Sequence, residues 1–231
     1  DRRTFGPADL VADPPPGRIA FERANAGGSV DLFTVTLREF GGITFDYLRG
    51  TDFVGNRNTG AFLGTACVFG VPTVIEDEPP TTVVTYSQVT VSGVALRVDA
   101  TSGLITGTFD LSDSTATFVV DPDADSQIES VITVRGREIF ANGDLSTTVT
   151  EFVTDGFGQA AINTVFGADN VERGAFTGII QINGVMPAGP KLTGWFYGPQ
   201  GIEAGYGYAL QTDDPNSNDT FVIAGQVFAK Q

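Results

Sequence analysis

From residue 30 onward the chain alternates apolar and polar residues with a period of two, broken at near-regular intervals by Gly, Pro, Asn and Asp. VDLFTVTL (30–37), GITFDYL (42–48), AFLGTACVFG (61–70), TTVVTYSQVTV (81–91), GLITGTFDL (103–111) and TATFVV (115–120) read this way. So do IESVITVR (128–135), DLSTTVTEFV (144–153), GAFTGIIQI (174–182), KLTGWFYG (191–198), AGYGYAL (204–210) and TFVIAGQVFA (220–229). Period two sends successive side chains to opposite faces of a sheet, so this series predicts an all-β fold. One stretch tolerates a helix, GQAAINTVFGA (158–168). Residues 1–29 lack a pattern: DPPPGR (13–18) is a polyproline-like spacer and ANAGGS (24–29) a flexible turn, which predicts a loosely held arm.

Four of the strands share a mid-strand glycine: LITGTF, AFTGII, KLTGWF and VIAGQV. A glycine there weakens a strand, so it needs a geometric reason. In a small closed barrel it lets the strand coil sharply or lets a bulky neighbour fill the lumen. The expected architecture is an antiparallel up-and-down barrel of about eight strands over 81–231. An N-terminal β extension over 30–80 and the arm over 1–29 precede it.

Composition narrows the chemistry. The chain has 28 acidic and 13 basic residues and a net charge of −15, which disfavours nucleic acid and anionic lipid as partners. No apolar run is long enough for a membrane helix, and no charged-then-apolar leader opens the chain, so an exported protein would be seen here in its mature form. There is no histidine, which excludes Ser-His-Asp and Cys-His catalysis, most zinc sites and a His heme ligand. Cys67, the single cysteine, lies among apolar neighbours and reads as a small core residue. Glu39, Asp46, Asp52, Glu151, Asp155 and Glu203 could supply an acid–base pair, but no pattern sets two of them on facing strands. Catalysis is therefore not expected.

The C-terminal motifs resemble the closing strands of the transferrin-binding protein B type of β-barrel. Gly194, Phe196, Tyr197, Gly198, Pro199 and Glu203 carry the first part of the likeness, and Gly225, Phe228 and Lys230 the ending, with Ala229 at a position that is commonly glycine. Upstream, Phe69, Gly70, Thr73, Pro80, Thr81, Thr82 and Tyr86 resemble the segment that opens such barrels in short, solute-binding-protein-like members of the family. The likeness spans roughly Phe69 to Lys230. It implies an exported surface lipoprotein of a Gram-negative bacterium, at the outer membrane or facing the periplasm. Such a protein captures an iron-source protein, heme or another solute for an outer-membrane receptor. No N-terminal lipid-bearing cysteine is present, so a lipid anchor would lie upstream of residue 1.

Several constellations carry a functional reading beside a plainer one. Trp195 and Tyr197 share one strand face and Tyr206 and Tyr208 another, with Tyr86 on the first barrel strand. They form either packed barrel wall or an aromatic rim for a partner or flat ligand. A heme ligand would have to be Tyr47, Tyr86, Tyr197, Tyr206, Tyr208 or Met186. Asp121, Asp123, Asp125 and Glu129 occupy positions 1, 3, 5 and 9 of a Ca²⁺-type loop that lacks Gly at 6 and Glu at 12, which also describes a solvated strand connection. Arg135 and Arg137 read as locally paired, not as a nucleic-acid patch. The expected role is binding of a protein or solute partner. An accessory subunit docked on a larger envelope or membrane assembly, and a lipocalin-like carrier with an open apolar lumen, are the alternatives.

Overall fold

The computed structural model of the chain describes residues 5–14, 16–25, 28, 30–55, 63–73, 80–140, 143–162, 174–182 and 192–231. In chain order the strands are β1 (Arg18–Ala24), β2 (Val30–Thr36), β3 (Glu39–Phe40), β4 (Ile43–Thr44), β5 (Leu48–Gly55) and β6 (Leu63–Gly70). Then follow β7 (Val84–Thr85), β8 (Gln88–Val98), β9 (Ile105–Asp110), β10 (Thr115–Ala116), β11 (Val119–Val120) and β12 (Ile128–Ile139). The last five are β13 (Leu145–Ile162), β14 (Ala175–Ile182), β15 (Leu192–Tyr197), β16 (Glu203–Asp213) and β17 (Thr220–Lys230). Single 3-10 turns lie at Pro7–Asp9 and Pro199–Gly201.

Eight strands close a ring in the order β8, β9, β12, β13, β14, β15, β16, β17, every pairing antiparallel. The ring shuts where the last strand meets the first, in unbroken register from Thr220↔Val98 to Lys230↔Gln88. The thinnest seam is between β9 and β12, which pair only at Arg137↔Asp110 and Glu138↔Phe109. Further along, β10 and β11 cover the same edge of β12, and β7 adds to β11. A second, four-stranded sheet runs β1-β2-β5-β6 and lays β5 and β6 against the outside of β15, β16 and β17.

The lumen is a packed core. Phe109, Phe118, Phe176, Phe196, Tyr206 and Phe221 are buried in it with aliphatic residues from every wall strand but β9. Phe176 stands 5.4 Å from Phe196 and 5.8 Å from Phe118, ring centroid to ring centroid. Burying each such side chain contributes about 1.5–3 kcal/mol before the entropy of ordering is counted. Two mid-strand glycines make room for these rings. A Cβ on Gly225 would lie 2.4 Å from the Tyr208 hydroxyl, and one on Gly194 would lie 2.5 Å from the Phe176 ring. The wall therefore thins where an aromatic lies flat on it, as the repeated glycine pattern anticipates.

Several expectations differ from the structure: TATFVV (115–120) is divided into β10 and β11, and GITFDYL (42–48) holds only β4 before β5 begins. β1 occupies part of the stretch expected to be a loose arm and pairs along its whole length with β2. β5 is a full strand that the alternation did not mark. The segment 81–91 breaks around Tyr86 into β7 and the start of β8. GQAAI (158–162), at the head of the helix-tolerant stretch, is the last part of β13, paired to both β12 and β14; 163–168 lie outside the described residues.

Candidate functional site

The wall of the barrel divides the five candidate aromatics. Tyr206 and Tyr208 on β16 point inward and are buried, and Tyr86 joins them from the loop before β8. The Tyr206 hydroxyl lies 2.6 Å from Ser130 Oγ, which itself donates to the Thr117 carbonyl at 2.6 Å. The Tyr86 hydroxyl donates to the Gly201 carbonyl, and its ring meets Phe118 edge-on at 5.0 Å. Tyr197 and Trp195 on β15 point the other way, into a second cluster with Phe40, Ile43, Phe45, Leu48 and Phe228 beneath the N-terminal extension. Tyr197 is buried and Trp195 half-buried, and the Trp195 Nε1–H has no hydrogen-bond partner among the described residues. The five thus line two separate cores and do not converge on one rim.

That burial bears on heme. It pushes the Tyr86, Tyr197, Tyr206 and Tyr208 hydroxyls far above the ordinary phenol range, and the four are closed off within packed clusters. Tyr47 is half-buried beside Trp195, and Met186 lies outside the described residues. In the acidic loop, Asp121 accepts from the Asp123 N–H at 3.1 Å, and the Asp121 N–H donates to the Gln127 carbonyl at 2.8 Å. This is the capping of a tight connection between β11 and β12. Among the described residues no group of three or more His, Cys, Asp or Glu is arranged to hold a metal, and Asp121, Asp123, Asp125 and Glu129 do not converge.

The space between extension and barrel is held by charge, a feature the alternation did not signal. Glu203 is fully buried and accepts hydrogen bonds from the backbone N–H groups of Asp46 (2.7 Å), Tyr47 (2.9 Å) and Leu48 (2.9 Å). Lys230 Nζ stands 3.2 Å from Glu203 and 3.2 Å from Asp46, and donates to the Thr44 carbonyl at 2.6 Å. Burial pulls the Lys230 ammonium down, but its bonds to Glu203 and Asp46 outweigh that and raise it. Asp46, exposed, is held below the usual carboxylate range by hydrogen bonds from Arg38 and Lys230. Glu203 and Lys230 both belong to the family-like motifs, which gave the one sequence signal for this tie.

A second tie lies further along the same wall. Asp52 on β5 pairs with Arg18 Nη1 at 3.0 Å and accepts from the side-chain amide of Gln226 on β17. Gln226 Nε2 also donates to the Thr51 carbonyl at 3.0 Å, and Arg18 reaches Ser92 on β8. Ser92 and Gln226 are fully buried. Burial raises the Asp52 carboxyl, with Arg18 pulling the other way.

With its inner face committed to the joint, the extension turns an apolar face outward. Phe21, Phe33 and Phe53 stand directly opposite one another across β1, β2 and β5, all half-buried. The adjacent row is Ile19, Val35, Thr51 and Cys67, followed by Arg49 and Phe69. Ile19 is 37% and Phe69 46% exposed. Cys67 is exposed as well and is not the core residue its neighbours suggested: it faces outward while Ala66 and Val68 turn toward the barrel. The arm reaches this face at Phe5 and Leu10. Phe5 stacks on Phe33 at 5.6 Å and lies 6.4 Å from Phe21 and 6.5 Å from Phe53. Leu10 bridges to Phe21, and the Val11 N–H donates to the Ala20 carbonyl at 2.9 Å.

No protein-family model and no curated protein matches the chain. Among solved structures it is similar to the vaccine antigen transferrin binding protein B of Haemophilus parasuis. One match, a double mutant, has a TM-score of 0.44 and 13% identity over 96% of this chain and 38% of that one. Another, a single mutant, has a TM-score of 0.42 and 12% identity over 99% of this chain and 42% of that one. The chain therefore spans about two-fifths of the length of these proteins. At such scores the likeness is a loose one, and the barrel assignment rests on the closed ring of strands itself. Among the described residues no helix is long and apolar enough to cross a membrane.

Proposed function

We propose that this is an exported bacterial binding protein that captures a protein partner for an outer-membrane uptake system. Its site is the outward face of the N-terminal sheet, and the barrel is the rigid mount. The carrying observation is the Phe21–Phe33–Phe53 row with exposed Ile19 and Phe69 beside it, on a sheet whose opposite face is fixed by two buried charged ties. Aromatic residues on a rigid support are the usual anchors of protein interfaces. The lumen is filled by its own side chains, which weighs against the lipocalin-like carrier. The family-like motifs add the setting: a cell surface or outer membrane, and an iron source as the cargo class.

The test is capture from envelope extract of a Gram-negative host by immobilised wild-type chain and by a Phe69→Ser variant. The expected result is a defined protein retained by wild type and retained at least tenfold less by the variant. Retention that ignores the substitution, or no retention at all, contradicts the assignment of this face. A parallel titration with hemin addresses the solute reading: a Soret shift at stoichiometric hemin would move the cargo from protein to heme.

A further inference from the structure

The outer face of the sheet already holds a ligand, and that ligand is the chain's own arm. Phe5 closes a half-buried cluster of four rings with Phe21, Phe33 and Phe53. Five residues on, Leu10 and Val11 join the open edge of β1, the edge strand of the four-stranded sheet, through a bridge to Phe21 and a hydrogen bond to the Ala20 carbonyl. The contact combines strand addition to a sheet edge with a side chain placed on the sheet face, a recurring way of binding an extended peptide. The arm is joined to β1 through the DPPPG stretch (13–17), and the chain turns at Gly17 (φ 72) so that the arm runs antiparallel to β1. Arg2 and Arg3 precede Phe5 in sequence, on a chain whose net charge is −15.

We propose that the arm is a tethered stand-in for a partner segment. The site then takes an extended peptide with an aromatic ring about five residues ahead of an aliphatic pair and a backbone that adds to β1. This deepens the function proposed above and rests on it. The arm competes in cis, at the roughly millimolar effective concentration of a short tether, and the partner segment displaces it. The alternative occupant is the arm of a second copy, and the test separates the two.

The probe is a fluorescein-labelled peptide of residues 2–12, RRTFGPADLVA, titrated against the full chain and read by anisotropy. The wild-type chain, its site filled by its own arm, binds it weakly. A Phe5→Ala chain, with unchanged far-ultraviolet circular dichroism, binds it at least tenfold more tightly. A peptide with Ala in place of Phe loses that gain, and so does a Phe5→Ala/Phe33→Ser chain. Equal binding to wild type and Phe5→Ala, equal binding of the ring-less peptide, or no binding to Phe5→Ala at millimolar peptide overturns the proposal. So does a wild-type dimer in sedimentation that Phe5→Ala disperses, since the occupant is then a second copy. Peptide binding with no envelope protein captured would leave this site standing and remove only the uptake role. Capture without peptide binding would do the reverse.

Discussion

The two faces of β16 and β17 are buried by different means. Inward, Tyr206, Tyr208, Phe221, Ile223 and Val227 meet an apolar, aromatic lumen. Outward, Phe228 packs against Phe40 and Phe45, and beside it Glu203, Gln226 and Lys230 meet the N-terminal extension through carboxylates, an amide and an ammonium. Apolar burial is strong and indifferent to small shifts, which suits a ring that must simply close. Buried charge contributes little net stability but penalises every wrong arrangement, since a displaced Glu203 would leave three backbone N–H groups unsatisfied and Lys230 with only Asp46 and the Thr44 carbonyl. The barrel is thus held shut by area, and the extension is held by area and fixed in place by pairing.

That contrast sets the expected order of effects. Tyr206→Ala opens a cavity in the lumen and removes the bond to Ser130. It should cost about 4 kcal/mol, with barrel and sheet melting together in denaturant titrations. A loss confined to the sheet would place the core elsewhere. Glu203→Gln keeps the shape but turns an N–H donor toward backbone donors. About 2 kcal/mol is expected, with faster hydrogen exchange at Asp46, Tyr47 and Leu48 and little change in β12 and β13.

The two joint carboxylates should also respond to pH with opposite signs. Asp52, raised by burial, holds its proton to higher pH in the folded chain than in the unfolded one. Its stabilisation is full below about pH 4 and is lost as pH rises through its native pKa. The stability advantage of wild type over Asp52→Asn should therefore shrink as the pH is raised from about 4. Asp46, lowered by Arg38 and Lys230, contributes above about pH 4 and loses that contribution as pH falls through its native pKa, so the advantage over Asp46→Asn should shrink on acidification. The smallest effect is expected at the exposed Arg135–Glu151 pair on the barrel exterior, where Arg135→Ala should leave the melting midpoint unchanged within error.

The same contrast explains what could be read from the sequence. Every wall strand of the barrel was legible at least in part, because its inward positions are apolar and its outward ones polar. β1 and β5 were not, because past Leu48 the positions they turn to the joint are Arg18, Ala20, Gly50 and Asp52, and a face made of charge and small residues erases the period. Their large apolar residues Ile19, Phe21 and Phe53 are on the outward face. Cys67 was misplaced for the same reason: in β6 both faces are apolar or small, and composition alone does not say which faces water. The aromatics of β15 and β16 were correctly paired by face, but only the closed ring shows that one pair lies inside and the other beneath the extension. Residues as short in their pairing as Val119–Val120 carry too little pattern to resolve as separate strands.

Native-state hydrogen exchange on wild type and Glu203→Gln tests the division most directly, comparing β2 amides with those of β8 and β17. If area closes the barrel and pairing places the sheet, β2 opens at a lower free energy than β8 and β17, and Glu203→Gln widens that gap. Identical opening free energies in the two regions, shifted equally by the substitution, would mean a single undivided core and would contradict the account.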